Sequence, residues 1–406
     1  MLKKEVDALQ PEMLEIFKDL HQHPELGFME HRTASIVADY LKKCNIDVKE
    51  NVALTGVIGV LDSGKPGKTL MLRADMDCLA VQELSSLYYK SEYPGKMHAC
   101  GHDSHVTMLL ATAKILSKYK NKFTGRIKFV FQPSEEGTPS EMLDTVAKAG
   151  YTGQGGAGFM IQEGVLDDVD ACIVLHVQPT LKIGTISIAK KNAAASSDVF
   201  TITITGKGGH GAQPQKAIDP VPALAELISA IHMLPTREIS SLETCVISIG
   251  KVETPGSVWN AVAEKVVLSG GFRTFNQEIR TKLGQRIDEL ANNIAKANRC
   301  TAQIDKKTGY MPTINNEHIS ELIVESCQKI LGKNNVIYTD VPAMTSDDCG
   351  AYLSKVPGAY FWLGIGSDEN AAPLHNPNFY LAPEALSIGV IVQVNIIIDL
   401  LGKLNS

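Results

Sequence analysis

Apolar and polar residues alternate along the chain with two different periods, which predict helices and strands. Apolar residues recur at helical spacing over 5–20, 30–43 and 105–119. Short, nearly continuous apolar runs are typical of strands that are covered on both faces. Such runs lie at 56–61, 69–73, 127–131 and 171–177. This order of helices and buried strands predicts an α/β fold built on a mixed, mostly parallel sheet.

The pattern changes after Pro179 and returns near Tyr310. It predicts an inserted α+β domain of ferredoxin-like type at 183–298, which separates a first part at 1–182 from a second part at 299–406. In the insertion we expect strands at 184–189, 199–205, 244–251 and 261–272, with helices at 220–233 and 277–297. In the second part we expect helices at 316–331, 345–354 and 385–401, with a strand at 359–363.

The composition favours a small-molecule or protein partner. The 406 residues carry a formal net charge of -6, which argues against nucleic acids and anionic membranes, because both normally require clustered lysine and arginine. The eight cysteines are scattered without a CxxC pair, a distribution typical of reduced thiols in the cytoplasm. Gln393, Asn395 and Asp399 interrupt the last apolar stretch, so we expect a buried helix there and no membrane span.

The segment MHACGHDSH at 97–105 is the densest cluster of metal-binding residue types. It offers Cys100, His102, Asp103 and His105 just before a predicted helix, and thiolates and imidazoles suit first-row divalent metals. A zinc finger is disfavoured, because no second Cys or His pair stands at finger spacing. The alternative is a loop at the start of a helix, with histidines that bind nothing.

Two adjacent acids, Glu135 and Glu136, follow the predicted strand at 127–131. Adjacent residues that leave a strand point to opposite sides, so one carboxylate can bind a metal while the other faces substrate as a general base. A solvated acidic turn is the alternative. His176 ends another strand, and sites in open α/β sheets form at strand ends. Cys100 with His102, the two acids, and His176 each follow a predicted strand and could meet at one sheet edge, where five mixed ligands suit two first-row divalent ions. His375 lies in the loop PLHNP near the C-terminus.

Three further residues lie in the predicted insertion. His210 stands in the glycine-rich loop GKGGHGAQP after a strand, where its imidazole can donate a hydrogen bond to an oxyanion. An exposed histidine at a hairpin tip is the alternative. Asn260 and Arg273 flank another strand. The guanidinium of Arg273 suits bidentate recognition of a carboxylate, and a surface ion pair is equally compatible with the sequence.

Together these motifs resemble those of the M20 metallopeptidase family, and specifically its amidohydrolase subfamily of the aminoacylase, hippurate hydrolase and auxin-conjugate hydrolase type. The resemblance covers nearly the whole chain, and the order and spacing of the motifs make it specific. The motifs are HQHPELGF at 21–28, LRADMD at 72–77, MHACGHDSH at 97–105, FQPSEEG at 131–137, HV at 176–177, GKGGHGAQP at 206–214, FRTF at 272–275 and LHNP at 374–377.

The resemblance implies a catalytic domain that holds two divalent metal ions and an inserted domain that dimerises or acts as a lid. It implies that Glu135 is the general base and that Asp75 supports the ligands without binding the metal itself. It also implies that His210 reaches the site of a neighbouring subunit, and that Asn260 and Arg273 hold the carboxylate of the substrate. The implied ligands are Cys100, which bridges the two ions, with His102, Glu136, His176 and His375.

The implied activity is hydrolysis of the amide bond of N-acyl amino acids by a metal-bridged hydroxide, with N-acetyldiaminopimelate and hippurate-like substrates both open. Zinc, manganese, cobalt and nickel all suit the ligand set. The alternative enzyme is a dipeptidase or carboxypeptidase that acts on small peptides. The alternative of another class is an inactive metal-binding regulatory protein. We expect a homodimer or higher homo-oligomer in the cytoplasm, with no nucleic-acid or membrane partner.

Overall fold

A computed structural model describes residues 2–366 and 371–405. The helices are α1 Leu2–Gln22, α2 His31–Lys43, α3 His102–Lys118, α4 Leu143–Lys148, α5 Gly155–Gln162, α6 Pro220–Arg237, α7 Gln277–Ala297, α8 Glu317–Leu331, α9 Gly350–Leu353 and α10 Glu384–Leu404. The strands are β1 Asp47–Val52, β2 Gly56–Asp62, β3 Thr69–Asp75, β4 Arg126–Gln132, β5 Ala171–Lys182, β6 Ile186–Ala189, β7 Asn192–Ala194, β8 Asp198–Thr205, β9 Gly209–His210, β10 Cys245–Glu253, β11 Ala261–Val262, β12 Lys265–Thr274, β13 Thr301–Lys307, β14 Thr313–Ile314, β15 Val336–Thr339 and β16 Gly358–Gly366.

The chain divides into two units. The sequence pattern placed the start of the second unit at 183, but the unit begins at Ala194. The reason is that β6 pairs with β15 and β16 in the sheet of the first unit. The second unit continues past the predicted end at 298, because β13 pairs with β8. The first unit comprises Met1–Ala193, Ile314–Pro342 and Asp348–Ser406, and the second comprises Ala194–Thr313 and Ala343–Asp347.

The first unit is built on an eight-stranded sheet with the order β1-β2-β4-β3-β5-β16-β6-β15. The pairs β3/β4, β3/β5, β5/β16 and β6/β15 are parallel, while β1/β2, β2/β4 and β6/β16 are antiparallel. All seven residues of β3 are buried, as expected for a central strand covered on both faces. The predicted α/β fold with a mixed sheet is confirmed.

Two apolar layers cover the sheet of the first unit. One contains residues from α1, α2, α3, α8 and α10, and the other contains residues from α5 and α9. Helix α10 is long and apolar enough to cross a membrane by length and composition, and 61% of its most apolar 18-residue stretch is buried inside the protein. Its contacts with α1, α3 and α8 agree with the predicted buried helix.

The second unit has the chain order β8-α6-β10-β12-α7-β13 and the sheet order β10-β12-β8-β13, with every neighbouring pair antiparallel. This is the ferredoxin-like arrangement that the sequence predicted. The predicted strand at 261–272 is divided into β11 and β12. The sequence pattern did not predict β13, because only alternate residues at its start are partly buried and its last three residues are exposed.

The helix predicted at 345–354 is wrong for most of its length, since α9 covers only Gly350–Leu353. The preceding residues Thr345, Ser346, Asp347 and Asp348 are of types that favour turns and caps over helix interiors. The carbonyl oxygen of Thr345 instead accepts a hydrogen bond from the backbone N–H of Ala195 at 2.8 Å. The apolar spacing that predicted a helix over 345–354 was therefore misleading before Gly350.

Candidate metal centre

The side chains of the first unit that could bind a metal lie close to the ends of strands and to the start of a helix. Strand β4 ends at Gln132, shortly before Glu135 and Glu136. Helix α3 starts directly after Gly101, whose backbone is left-handed with φ +82°. A Cβ at residue 101 would lie 2.5 Å from a methyl carbon of Val177, so the close approach of α3 to β5 requires glycine there. The residues in question are Cys100, His102, Glu135, Glu136, His176 and His375.

His102 is fully buried and has one ring nitrogen engaged and one open. Its Nδ1 donates a hydrogen bond to the backbone carbonyl of Asp77 at 2.9 Å. Its Nε2 lies 3.9 Å from Glu135 Oε2 and 3.9 Å from Glu136 Oε1. Among the described residues, none forms a hydrogen bond with this Nε2. A buried nitrogen that lacks a partner and faces carboxylates has the placement of a metal ligand whose other N–H is fixed from behind.

The imidazole of His176, on β5, is also fixed by a backbone carbonyl. Its Nδ1 donates to the carbonyl oxygen of Val177 at 2.8 Å. Its Nε2 lies 3.5 Å from Cys100 Sγ. The thiol and the imidazole, both buried, are thus brought together from positions 76 residues apart.

Glu136 and His375 form the more exposed side of the cluster. His375 Nε2 lies 3.2 Å from Glu136 Oε1, and the imidazole is 53% exposed. His375 has φ +66°, an uncommon conformation for a residue with a side chain. The backbone N–H of His375 donates to the carbonyl oxygen of Ala99 at 2.8 Å, which ties this loop to the segment that carries Cys100.

The cluster contains several donor groups that share members, and within each group the ligand atoms lie within 4.8 Å of one another. One group is Cys100, Glu136 and His375, and another is His102, Glu135 and Glu136. Because Glu136 belongs to both groups, two neighbouring cation positions are compatible with the donors. The mixture of sulfur, nitrogen and carboxylate oxygen fits first-row divalent ions. The residues present therefore fit a metal centre.

The electrostatics of the cluster favour a bound cation. Burial and the carboxylates of Glu136 and Glu135 raise the pKa of the Cys100 thiol well above its usual value. Burial acts to lower the pKa of His102, but Asp75 and Asp77 outweigh it and raise this pKa to about 10. The thiol is thus kept neutral, and the imidazolium of His102 supplies positive charge beside the buried carboxylates. A divalent ion would supply the same positive charge and leave the thiolate and the imidazole free as ligands.

Asp75 contacts this cluster both directly, with its Oδ2 3.6 Å from His102 Nε2, and through His105. The backbone N–H of Val177 donates to His105 Nε2 at 3.0 Å, and His105 Nδ1 donates to Asp75 Oδ1 at 2.6 Å. Both ring nitrogens of His105 are therefore engaged. Asp75 also pairs with Arg73, whose Nη1 lies 2.5 Å from Asp75 Oδ2. Burial acts to raise the pKa of Asp75, but Arg73 and His102 outweigh it and hold this pKa well below its usual range.

The remaining predicted site residues lie in the second unit. Strands β9 and β11 pair His210 with Ala261 and bring it beside Asn260, whose carbonyl oxygen accepts from the N–H of Gly211 at 2.9 Å. His210 Nδ1 accepts a hydrogen bond from the N–H of Ala212 at 3.1 Å, so Nε2 carries the proton of the neutral ring and can donate it. Arg273 is half-buried, and its Nη1 donates to the carbonyl oxygen of Met344 at 3.0 Å.

Sequence reasoning missed two features that hold the ligands in place. The carboxylate of Asp77 accepts from the backbone N–H of Glu136 at 2.9 Å, in addition to the bond between its carbonyl and His102. His21 Nδ1 lies 2.6 Å from Asp103 Oδ2, at the residue that follows His102. The motifs LRADMD and HQHPELGF contained these residues, but their partners are distant in sequence.

Comparison with known proteins identifies the family. The profile of peptidase family M20/M25/M40 matches residues 71–399. The chain belongs to the M20 family. A thermostable carboxypeptidase 2 of Saccharolobus solfataricus is 32% identical over 406 residues, covering 99% of this chain and 98% of the relative. The IAA-amino acid hydrolase ILR1-like 4 of Arabidopsis thaliana is 35% identical over 383 residues, covering 93% of this chain and 83% of the relative.

A solved structure of an M20 family member also resembles this chain. The YXEP protein of Bacillus subtilis, described as a dinuclear metal binding peptidase, has a TM-score of 0.81 and 27% identity, with 98% of this chain and 99% of that chain covered. The predicted resemblance to the M20 family and the prediction of a hydrolase are confirmed. The individual roles of the site residues stay predictions.

Proposed function

We propose that this M20 enzyme hydrolyses the amide bond of N-acyl amino acids. The observation that carries the proposal is the position of Glu135, a buried carboxylate 3.9 Å from the open Nε2 of His102 and next to the metal-binding Glu136. An acid placed at the edge of a cation cluster can exchange protons with a nucleophilic water and with a leaving group. The IAA-amino acid hydrolase of Arabidopsis, an enzyme named for an acylated amino acid, supports this substrate class.

In this proposal Cys100, His102, Glu136, His176 and His375 would hold two divalent ions, which can be zinc, manganese, cobalt or nickel. When bound, such ions lower the pKa of water and polarise a carbonyl oxygen. The B. subtilis peptidase with two metals supports the count of two. Asp75 would act from behind the ligands, through His105.

Glu135 takes a proton from water as a new bond forms between the water oxygen and the amide carbon. It then returns that proton to the nitrogen as the C–N bond breaks, so the products are a carboxylic acid and a free amino acid. His210 of a neighbouring subunit would donate Nε2–H to the carbonyl oxygen, where negative charge develops. Asn260 and Arg273 would bind the carboxylate of the amino acid, Arg273 through N–H groups of its guanidinium.

The alternative enzyme is a peptidase that acts on dipeptides or on the C-terminus of small peptides. The 32% identity to a carboxypeptidase of S. solfataricus favours it. Both candidates use the same cleavage chemistry and differ in the group on the acyl side of the bond. An inactive metal-binding regulatory protein is the alternative of another class. The presence of both Glu135 and Glu136 argues against it, because such a protein would have no need for a general base beside the ligands.

A substrate panel separates these candidates. Metal-free protein is supplied in turn with zinc, manganese, cobalt and nickel, and the release of free amino acid is measured from N-acetyl and N-benzoyl amino acids and from dipeptides. We expect the acylated amino acids to be cleaved with the higher kcat/KM. Faster cleavage of the dipeptides would favour the peptidase. Metal binding without cleavage of either class would favour the regulatory protein.

We further propose that the protein forms a homodimer or higher homo-oligomer through the second unit and works in the cytoplasm. Leu242 and Trp259 of this unit are 95% and 97% exposed, and exposed large apolar side chains are typical of interfaces. Sedimentation would measure the oligomeric state, and a monomer at micromolar concentration would contradict the proposal. Cell fractionation would test the location.

A further inference from the structure

The segment at the start of α2 lies outside the metal centre but holds the turn that carries its two glutamates. Glu30 is fully buried, which is unusual for a carboxyl group unless it has partners. Its Oε1 accepts a hydrogen bond from the backbone N–H of Ser134 at 2.8 Å. Its Oε2 accepts from the hydroxyl of Thr55 at 2.6 Å. Glu30 therefore joins α2 and the start of β2 to the residue that directly precedes Glu135.

Ser134 adopts a conformation that needs such support. Its φ is +49°, in the left-handed region, which is strained for a residue other than glycine and persists only if the surroundings fix it. Its hydroxyl donates to the carbonyl oxygen of Gly137 at 3.0 Å. This bond spans the two glutamates and joins the two ends of the turn of residues 134–137.

The turn of residues 134–137 is also packed against Gly27. A Cβ at Gly27 would lie 2.5 Å from Ser134 Oγ and 2.9 Å from the carbonyl oxygen of Gly137. Glycine is therefore required for the close approach of the two segments. Glu30 and Gly27 fix the turn of residues 134–137 by independent means, one by a hydrogen bond and the other by close contact.

We propose that Glu30 is a positioning residue, which aims the carboxylates of Glu135 and Glu136 by holding Ser134 in its left-handed conformation. Without the carboxyl group, the buried N–H of Ser134 has lost its acceptor, and relaxation of φ turns the following peptide and shifts both side chains. The inference rests on the proposed function for its effect on turnover. Its effect on metal binding requires only that Glu136 is a ligand.

The chemistry of the contact dictates which substitutions are informative. Glutamine keeps a carbonyl acceptor for Ser134 N–H and places an NH₂ group where Thr55 Oγ can accept from it. Burial and the neighbouring Asp77 raise the pKa of Glu30 to about 8, which means that this site disfavours the negative charge that glutamine lacks. Methionine has a similar length and offers no comparable acceptor. We therefore expect E30Q to retain the cobalt affinity and the kcat that E30M loses.

Glu163 provides a matched control in the same unit. Its Oε1 accepts from the backbone N–H of Ala53 at 2.8 Å and from the hydroxyl of Tyr151. Ala53 is also left-handed, with φ +52°. E163M therefore removes the same two kinds of bond, although from a less buried carboxylate, without contact to the turn of residues 134–137.

The test compares E30M, E30Q and E163M with the wild type in three measurements. These are the affinity of metal-free protein for cobalt by absorption titration, the kcat and KM of the reconstituted enzymes, and the thermal unfolding midpoints. For E30M we expect cobalt affinity or kcat to fall about 10- to 100-fold, the range typical of groups that orient ligands, with little change in KM. E30Q should stay close to the wild type. E163M should lower only the unfolding midpoint.

Wild-type kcat and cobalt affinity in folded E30M would overturn the proposal, and so would equal losses in E30M and E163M or failure of E30Q to rescue. If no acylated amino acid is hydrolysed by the wild type, the proposed function fails, but the cobalt titration still decides the role of Glu30. If E30M does not fold, G27A replaces it. The added methyl group displaces Ser134, and unchanged kcat and cobalt affinity in G27A would equally contradict the proposal.

Discussion

His102 donates from Nδ1 to the carbonyl oxygen of Asp77 at 2.9 Å, and this bond directs its open Nε2 toward the carboxylates of the cluster. In His176, too, Nδ1 is bound to a backbone carbonyl, and Nε2 lies 3.5 Å from Cys100 Sγ. In each ring the backbone contact at Nδ1 fixes the tautomer and the orientation of Nε2 toward the cluster.

Substitution of Cys100 tests whether its sulfur belongs to the centre. We expect C100A to lower metal affinity at least as much as the roughly 10- to 100-fold loss typical of groups that only support a ligand. C100D should retain more affinity, because a carboxylate can also bridge or bind a divalent ion. Calorimetric titration of metal-free protein measures this. The buried Cys172 is the control, and a C172A variant that loses as much metal as C100A would contradict the assignment.

Substitution of Glu135 separates its role from that of Glu136. E135Q removes the proton acceptor and keeps the size of the side chain, so turnover should fall about 10²- to 10⁴-fold while both metals remain bound. Steady-state kinetics and metal analysis of the same sample provide the two values. E141Q, at an exposed position nearby, should leave both unchanged. Near-normal turnover by fully metallated E135Q would exclude Glu135 as the general base.

The sequence predicted which residues would cluster at the candidate site better than it predicted the residues that hold them in position. Cys100, His102, Glu136 and His176 were predictable because each stands in a local motif or at the end of an apolar strand. The residues that hold this cluster in position were not predictable. His21 and Glu30 contact residues that are 82 and 104 positions away in the sequence, and nothing in the local pattern specifies such a contact.

The same limit applies to the fold. The central strands were found because continuous burial leaves an apolar run, as in β3, where every residue is buried. Edge strands leave a weaker signal. Strand β1 has one buried residue, and β13 has none, so both were missed, although their register with β2 and β8 is regular over most of their length.

His21 is expected to make the stability depend on pH. Burial acts to lower its pKa, but Asp103 and Glu83 outweigh it and raise the pKa from 6.5 to about 9. The folded state thus binds the proton more tightly than the unfolded state, so the contribution of the imidazolium is fully present below pH 6.5 and is lost as the pH rises through about 9.

The measurement for His21 is urea unfolding of the wild type and H21Q at several pH values. The difference in free energy of unfolding should be largest below pH 6.5 and decline toward pH 9, by roughly 3 kcal/mol at most. The comparison cancels the contribution of Glu30, which titrates in the same range in both proteins. A difference that is constant or grows with pH would show that His21 is not held as an imidazolium.

Arg73 is expected to contribute strongly to the stability of the folded state, because it is buried between two carboxylates. Its Nη1 lies 2.5 Å from Asp75 Oδ2, and its Nη2 lies 3.0 Å from Asp348 Oδ1. R73M removes the guanidinium that both acids contact, which should cost about 3 to 5 kcal/mol in the free energy of unfolding. R126M breaks an exposed pair with Asp168 and should cost less than about 1 kcal/mol. Equal losses in urea unfolding would contradict this difference.

The dependence of amide hydrolysis on metal stoichiometry tests the central claim most directly. Protein stripped of metal is titrated with zinc, manganese, cobalt or nickel, and the bound metal and the rate of release of amino acid from an N-acyl amino acid are measured in the same samples. The account predicts no turnover without metal and full turnover at two bound ions per chain. Full turnover by the metal-free protein, or no metal bound at micromolar concentrations, would contradict it.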